Sequence, residues 1–329
     1  MTKLHALLGK NNLQGEVVGI EIEAEGNGMK AVVLDDWRSE DDGSLRGEFP
    51  SSRHEFVSVP LKAADVSQAL DKLIDSQKDA EIDFSFRTSS HVHVNCLDMD
   101  VQAIGAFVYT YFLLEKDLMR YCGEHRNNNR FCLRMVDSDE LTEILKCLVQ
   151  LGFRDMRVFV NEELRYGACN MASLSKYGTL EFRGMRGTMD KEVLLNWIGA
   201  LLKIRQYAIE KGNAWNVYTE AVNDHDAFHK KVLGDLTDVF IQPDAAFHLA
   251  EALSLTIEVP FEAKEYASRQ AESKEKRRIA KPGGKDMFVA RGGIFDPVPP
   301  IPEGHRVRLV PQGWEIVDDR VNPVNIVEF

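Results

Sequence analysis

The sequence predicts an α+β fold built on a mostly antiparallel sheet. Strand candidates interleave with helix candidates along the chain, and those strands alternate polar with apolar residues rather than running all-apolar as buried parallel strands do. A glycine-bearing turn, EGNG, could also close two antiparallel neighbours.

Taken in order, residues 16–24 alternate as a strand, and GMKAVVLDDW (28–37) is expected to return beside it after the EGNG turn. The polar stretch RSEDDGSLRGEFPSSR reads as a loop, and HEFVSV (54–59) as the next strand. LKAADVSQALDKLIDSQK (61–78) has the apolar spacing of an amphipathic helix, and SSHVHVNC (89–96) returns to strand alternation. Helices are expected at 99–122 and 137–150, then strands at RVFV (157–160), RYGACNM (165–171) and GTLEFRGM (178–185). Asp190 is placed to cap the long helix KEVLLNWIGALLKIRQYAIEK, and two further helices are expected near 244–256 and 262–280. The second is almost wholly polar and leads into KPGGKDMFVARGGIFDP (281–297), either a solvated surface or a flap that reaches phosphates. RVRLVP and GWEIV read as short strands near the end. The expected organisation is a catalytic domain over 1–260 and a C-terminal extension over 261–329.

The totals narrow the function classes. With 329 residues and 44% hydrophobic content the chain can bury a real core. Its 52 acidic against 40 basic residues give a formal charge of -12, which argues against general nucleic-acid binding. The 5 cysteines are odd in number and form no C-x-x-C pair, so neither a disulfide framework nor a zinc ribbon is indicated. No export signal and no run of about 18 apolar residues is present, so a cytoplasmic location without a membrane span is expected.

The chemistry lies in a repeated spacing. Glu21, Glu23 and Glu25 in GIEIEAEG occupy one side of an extended strand, with Ile20, Ile22 and Ala24 on the other. Arg53 and Glu55, His91 and His93, and Glu181 and Arg183 repeat the same i, i+2 spacing. A solvated sheet face would carry a mixture of Lys, Thr, Ser and Gln, whereas these pairs contain only Glu, His and Arg. Should they converge, carboxylates and imidazoles would hold divalent ions while guanidinium groups met phosphate oxygens, a pocket suited to a nucleoside triphosphate with magnesium. No P-loop, H-E-x-x-H or G-x-S-x-G motif offers another route. Arg126 and Arg130 flank the asparagine-rich loop EHRNNNRFC, where one could clamp a substrate carboxylate or the loop could simply bond to itself. His225 and His229 in HDAFH, spaced i, i+4 on an expected surface helix, supply a competing reading: a zinc-dependent hydrolase that also uses His91 and His93.

Together GIEIE, the DGSL loop followed by HEFVSVPL, HVHVN, and NMASLSKYGTLEFRGMRGTMD resemble the amidoligase family, carboxylate-amine ligases of bacteria and their phages on the glutamine synthetase and glutamate-cysteine ligase fold. The resemblance covers residues 16–210 and implies a curved antiparallel sheet forming a funnel, with ATP and Mg2+ or Mn2+ at one end and small-molecule or peptide carboxylate and amine substrates at the other. It implies that Glu21 and Glu23 hold different ions, that Glu55 joins one of them, and that His91 and Glu181 complete the other. Arg183, with Arg53, would lie against the ATP phosphates, and His93 and Asn170 nearer the substrate. Glu25 has no counterpart, and a further carboxylate beside Glu55 is expected from Asp42 or Glu48. A non-catalytic binding protein on the same fold is the third reading, although all the charged motif positions are filled here.

Overall fold

The computed structural model of the chain describes residues 2–45, 52–127, 129–151, 165–257, 305–310 and 313–318. The expected strand at 157–160, the helix at 262–280, the segment 281–297, the boundary at 260 and Glu48 lie outside the described residues. The chain divides into two compact units, Met1–Glu275 and Lys276–Phe329.

In the first unit, a short helix α1 (Leu4–Leu8) precedes strands β1 (Val17–Asn27), β2 (Trp37–Glu40), β3 (Arg53–Ser58) and β4 (Leu61–Lys62). Helix α2 (Val66–Ser76) leads to β5 (Glu81–Asp83) and β6 (Ser90–Asn95), then to the helices α3 (Val101–Cys122) and α4 (Asp139–Leu151). Strands β7 (Cys169–Asn170) and β8 (Thr179–Phe182) bracket the short helix α5 (Ser173–Tyr177). The helices α6 (Lys191–Lys211), α7 (Ala214–Asn223), α8 (Phe228–Leu233), α9 (Thr237–Phe240) and α10 (Ala245–Ile257) follow. In the second unit, β9 (His305–Val310) and β10 (Gly313–Asp318) pair as an antiparallel hairpin where the two short strands are expected.

The class expected from the sequence is the one observed: an open eight-stranded sheet in the order β2-β3-β1-β6-β8-β7, with β4 and β5 also paired to β1 and helices flanking it. Its strand pairs are antiparallel. One expected pairing fails. GMKAVVLDDW does not return beside β1, because β3 and β4 fill one edge of that strand while β6 and β5 fill the other. Only its last residue enters a strand, as Trp37 of β2, which pairs with β3. Trp37 is buried, and its indole N–H donates to the carbonyl of Ala69 at 2.8 Å, which ties that edge of the sheet to α2.

Alternation sorts the side chains. Ile20, Ile22, Ala24, Phe56, Val92, Val94, Leu180 and Phe182 are all fully buried on one face. Phe182 packs against Tyr111 and Phe107 of α3, with ring centroids at 4.9 and 5.5 Å. Helix α3 is buried along nearly its whole length and α6 packs beside it, so the apolar face is held by helices and the polar face is left to do chemistry. Both helices start where an aspartate takes the first free backbone N–H groups: Asp100 accepts from Ala103, and Asp190 from Glu192 and Val193. Among the described residues, no helix is long and apolar enough to cross a membrane.

Gly26 marks where β5 crosses close to β1. Its φ is 148°, and a Cβ there would lie 2.1 Å from the carbonyl oxygen of Glu81. Gly26→Ala is therefore expected to cost about 1–3 kcal/mol, seen as a lowered thermal midpoint; an unchanged midpoint would show that β5 can yield.

Candidate active site

Residues directly opposite in an antiparallel pair point to the same side of the sheet, so the strand registers decide which side chains meet. Glu21 stands opposite His91, His93 opposite Glu181, Glu181 opposite Asn170, and Glu23 opposite Glu55. Four segments distant in the chain thereby place one row of carboxylates and imidazoles on the face away from α3 and α6.

Glu21 is the centre of this row. One of its oxygens lies 3.1 Å from His91 Nδ1 and the other 3.3 Å from His93 Nε2. Glu181 completes the ring, 3.6 Å from His91 Nδ1 and 4.0 Å from His93 Nε2, and also pairs with Arg183 Nη1. Each imidazole is held from behind: His93 Nδ1 sits 3.0 Å from Thr179 Oγ1, and His91 Nε2 sits 2.8 Å from Ser89 Oγ. Such hydrogen bonds fix a ring's orientation and select which nitrogen faces the site.

The carboxylates have different surroundings. Burial pushes the Glu21 carboxyl up, but hydrogen bonds and charge from His91 and His93 outweigh it and hold the group well below the usual carboxylate range. Glu181 is likewise lowered, its burial countered by His91, His93 and Arg183. His93 is raised, because Glu21 and Glu181 outweigh the effect of burying it. Glu55 is the exception. Burial, then Glu21, Glu23, Asp42 and Glu40, push its carboxyl up to about 8, and among the described residues no cation pairs with it.

That imbalance is the observation that tests whether divalent ions fit. One donor atom from each of Glu21, His93 and Glu181 lies within 4.8 Å of the others, and Glu21, Glu55 and His91 form a second such set. Two donor sets sharing one carboxylate, with the Glu55 carboxyl pushed up by burial and acidic neighbours, are groups that could hold divalent ions. His93 stands with Glu21 and Glu181 in one set and His91 with Glu21 and Glu55 in the other, while His91 Nδ1 also lies 3.6 Å from Glu181. Glu23 turns one oxygen onto Ser89, whose N–H and hydroxyl both donate to it at 2.8 and 2.6 Å, leaving the other 4.0 Å from His91 Nε2.

The remaining candidates are spread around this centre. Asn170 donates from Nδ2 to Glu181 at 2.6 Å and accepts from Ala172 N–H, so it orients a carboxylate. Arg126 is no free clamp. It is buried, and its Nε and Nη2 donate to the carbonyls of Gly184 and Arg183, which fixes the end of β8 from which Arg183 projects. Arg130 is exposed and lies over the Phe131 ring, and the Phe131 carbonyl accepts from Arg183 Nε at 3.4 Å. The loop is anchored by Glu115 of α3, which accepts from Met135 N–H. Arg53 shares the face of Glu55 and is tied to Asp41 and the Leu45 carbonyl.

His225 and His229 do not join His91 and His93. His225 lies in the turn before α8, off the helix that carries His229, and His229 is buried 4.0 Å from Asp117 of α3, so the expected surface helix with both on one face does not form. Two further residues escaped sequence reading. Glu40 stands opposite Glu55 in register, and Ser89 is buried between Glu23 and His91. Asp42, one of the two expected further carboxylates, is half-buried, accepts from the N–H and hydroxyl of Ser44, and is among the charges that raise Glu55.

Residues 14–204 match the family described as "Putative amidoligase enzyme". The chain belongs to that family. A search of curated proteins finds no match. The matched span contains all four strands that carry the Glu21 row.

The raised Glu55 carboxyl has a consequence for the metal-free protein. A carboxyl raised from 4.5 to about 8 on folding keeps its proton in the native state, while the unfolded chain has already released it. Between those values the native state binds more protons, so stability falls as pH rises, and the contribution is intact below 4.5 and gone above about 8. His93 adds the same sign above 6.5, so the informative quantity is the difference from Glu55→Gln. In that variant the fall in chelator-treated protein is expected to be shallower; identical pH profiles would contradict the placement of Glu55.

Proposed function

We propose that this amidoligase joins a carboxylate to an amine at the expense of ATP, through an acyl phosphate. The observation that supports this most directly is the carboxylate of Glu21 shared by two donor sets beside the Arg183 guanidinium. Glu21, Glu55, His91, His93 and Glu181 would hold two magnesium or manganese ions, and Glu23, Asn170, Ser89 and Thr179 would keep those ligands aimed. Ions bound there would neutralise phosphate oxygens.

The chain's own residues do the rest. Arg183, held by Phe131 and Glu181, would meet charge on the transferring phosphoryl group, and Arg126 fixes the backbone beneath it. An oxygen of the substrate carboxylate attacks the terminal phosphorus of ATP and ADP leaves; the amine nitrogen then attacks the acyl carbon, loses a proton, and inorganic phosphate departs. In this reading the polar sheet face is one wall of the funnel that the family likeness implies.

Arg130, exposed one residue from Phe131, is the candidate for the substrate carboxylate. Arg130→Ala is expected to raise KM for the carboxylate about tenfold, the loss of one charge-assisted hydrogen bond, with KM for ATP unchanged. Equal effects on both would remove it from that role.

The reading as a whole is tested by incubating purified protein with ATP, magnesium or manganese, and pooled acids and amines. Phosphate release that depends on both pools, with a new amide by mass spectrometry, is the expected result. Amide hydrolysis without an ATP requirement would favour a hydrolase instead.

A further inference from the structure

One end of the Glu21 row is bare. Gly19 stands opposite His93 and, two residues before Glu21, shares its side of β1. A Cβ at Gly19 would meet the Cβ of His93 at 3.5 Å and, its own chain neighbours aside, nothing else within 4 Å. Its φ lies outside the left-handed region, so the backbone does not call for glycine at this position. Val57, opposite Glu21 on the other flank, adds an apolar, half-buried side chain.

An exposed aromatic ring adjoins the same imidazole. Tyr177, the last residue of α5, sets its ring at 89° to that of His93 with centroids 5.6 Å apart, yet the residue stays 51% exposed. The turn that carries it is tightly built. Gly178 has a φ of 76°, its N–H donates to the Leu174 carbonyl at 3.0 Å, and its carbonyl accepts from Cys96 N–H at 2.9 Å. A Cβ there would lie 2.2 Å from Leu97 Cδ2. Core packing does not explain a tyrosine fixed in this way and left half in solvent, whereas a flat ligand that covers it does.

Charge distinguishes the two ends of the row. Along β8, Thr179 lies at the Tyr177 end and Arg183 at the other. Toward that other end stand Glu55, with Glu40 opposite it, and Arg53 tied to Asp41. The Gly19 end offers an imidazole, a phenol, a valine and the Thr179 hydroxyl, with the Lys176 ammonium 4.6 Å from the centre of the Tyr177 ring. Phe131, another exposed ring, belongs to the Arg183 end, with Arg130 over it. In the ligase reading, on which this inference rests, phosphates belong with the ions and Arg183, and the large uncharged flat part of the nucleotide is its adenine.

We propose that Tyr177 and the gap over Gly19 form the seat of the adenine ring of ATP. The base covers the tyrosine and lies over backbone that only glycine leaves bare. His93, which touches Tyr177 and belongs to the donor set with Glu21 and Glu181, joins this seat to the phosphate end.

The test is calorimetric binding to full-length protein with manganese, using a non-hydrolysable ATP analogue and, as a probe without a base, inorganic tripolyphosphate. Tyr177→Ala is expected to weaken binding of the analogue about tenfold or more, the loss of one base-aromatic stack, and Tyr177→Phe to restore most of it. Gly19→Val, which fills the gap, is expected to weaken the analogue similarly. Tripolyphosphate affinity should hold in all three variants. Unchanged affinity for the analogue in either Tyr177→Ala or Gly19→Val would overturn the inference, as would an equal loss for tripolyphosphate. A raised KM for the acid or amine at unchanged analogue affinity would overturn it too, by giving the seat to the substrate. Wild-type protein that binds neither probe would instead remove the ligase reading, and the adenine seat with it.

Discussion

Glu21→Gln is expected to abolish ATP turnover while leaving the fold intact. The substitution keeps the size of the side chain and its place opposite His91, yet removes the one carboxylate that belongs to both donor sets. Loss of a single preorganised electrostatic contact costs about 3 kcal/mol, or ~100-fold in rate, and here two sets are broken together, so the fall should exceed that figure. Glu55→Gln or His93→Asn, each touching one set, should cost less. Steady-state phosphate release, with circular dichroism as the control for folding, checks this. A Glu21→Gln protein that turns ATP over at near the normal rate would dissociate the site from the reaction.

Arg183→Ala is the second large expectation: a loss of about 100-fold in kcat for phosphate release. Its guanidinium pairs with Glu181 and donates to Phe131, so it is held in place before any phosphate arrives. Arg183→Lys should rescue only part of the rate, because an ammonium keeps the charge and loses the planar fork. The same loss appearing in KM alone, with kcat preserved, would make Arg183 a ground-state binding group.

Much of this site is readable in the chain because a strand's period of two is a strong signal. GIEIE, HVHVN and TLEF each announce a polar and an apolar side, and the apolar sides are the buried ones, with Phe182 packed against α3. What the period does not encode is which residue faces which. That depends on strand register, set by pairings between segments far apart in the chain, so His91 opposite Glu21 and His93 opposite Glu181 become visible only in the structure.

Short elements were lost for a related reason. WRSE carries Arg38 and Glu40 in the same spacing as Arg53 and Glu55, but four residues in a polar stretch give too little alternation to separate strand from loop. An arginine in an asparagine-rich loop likewise gives no sign of being buried; Arg126 goes inside because two carbonyls at the end of β8 need donors. The carboxylate nearest His229 Nε2, 4.0 Å away, comes from α3, and helix packing alone brings Asp117 there.

The central claim is that the Glu21 row gathers two divalent cations. Manganese binding to chelator-stripped protein, counted by electron paramagnetic resonance in the presence of a non-hydrolysable ATP analogue, addresses it without knowledge of the substrates. Two ions are expected, with one lost in Glu55→Gln and both weakened in Glu21→Gln. Binding that is absent, or that is indifferent to Glu21, would contradict the account.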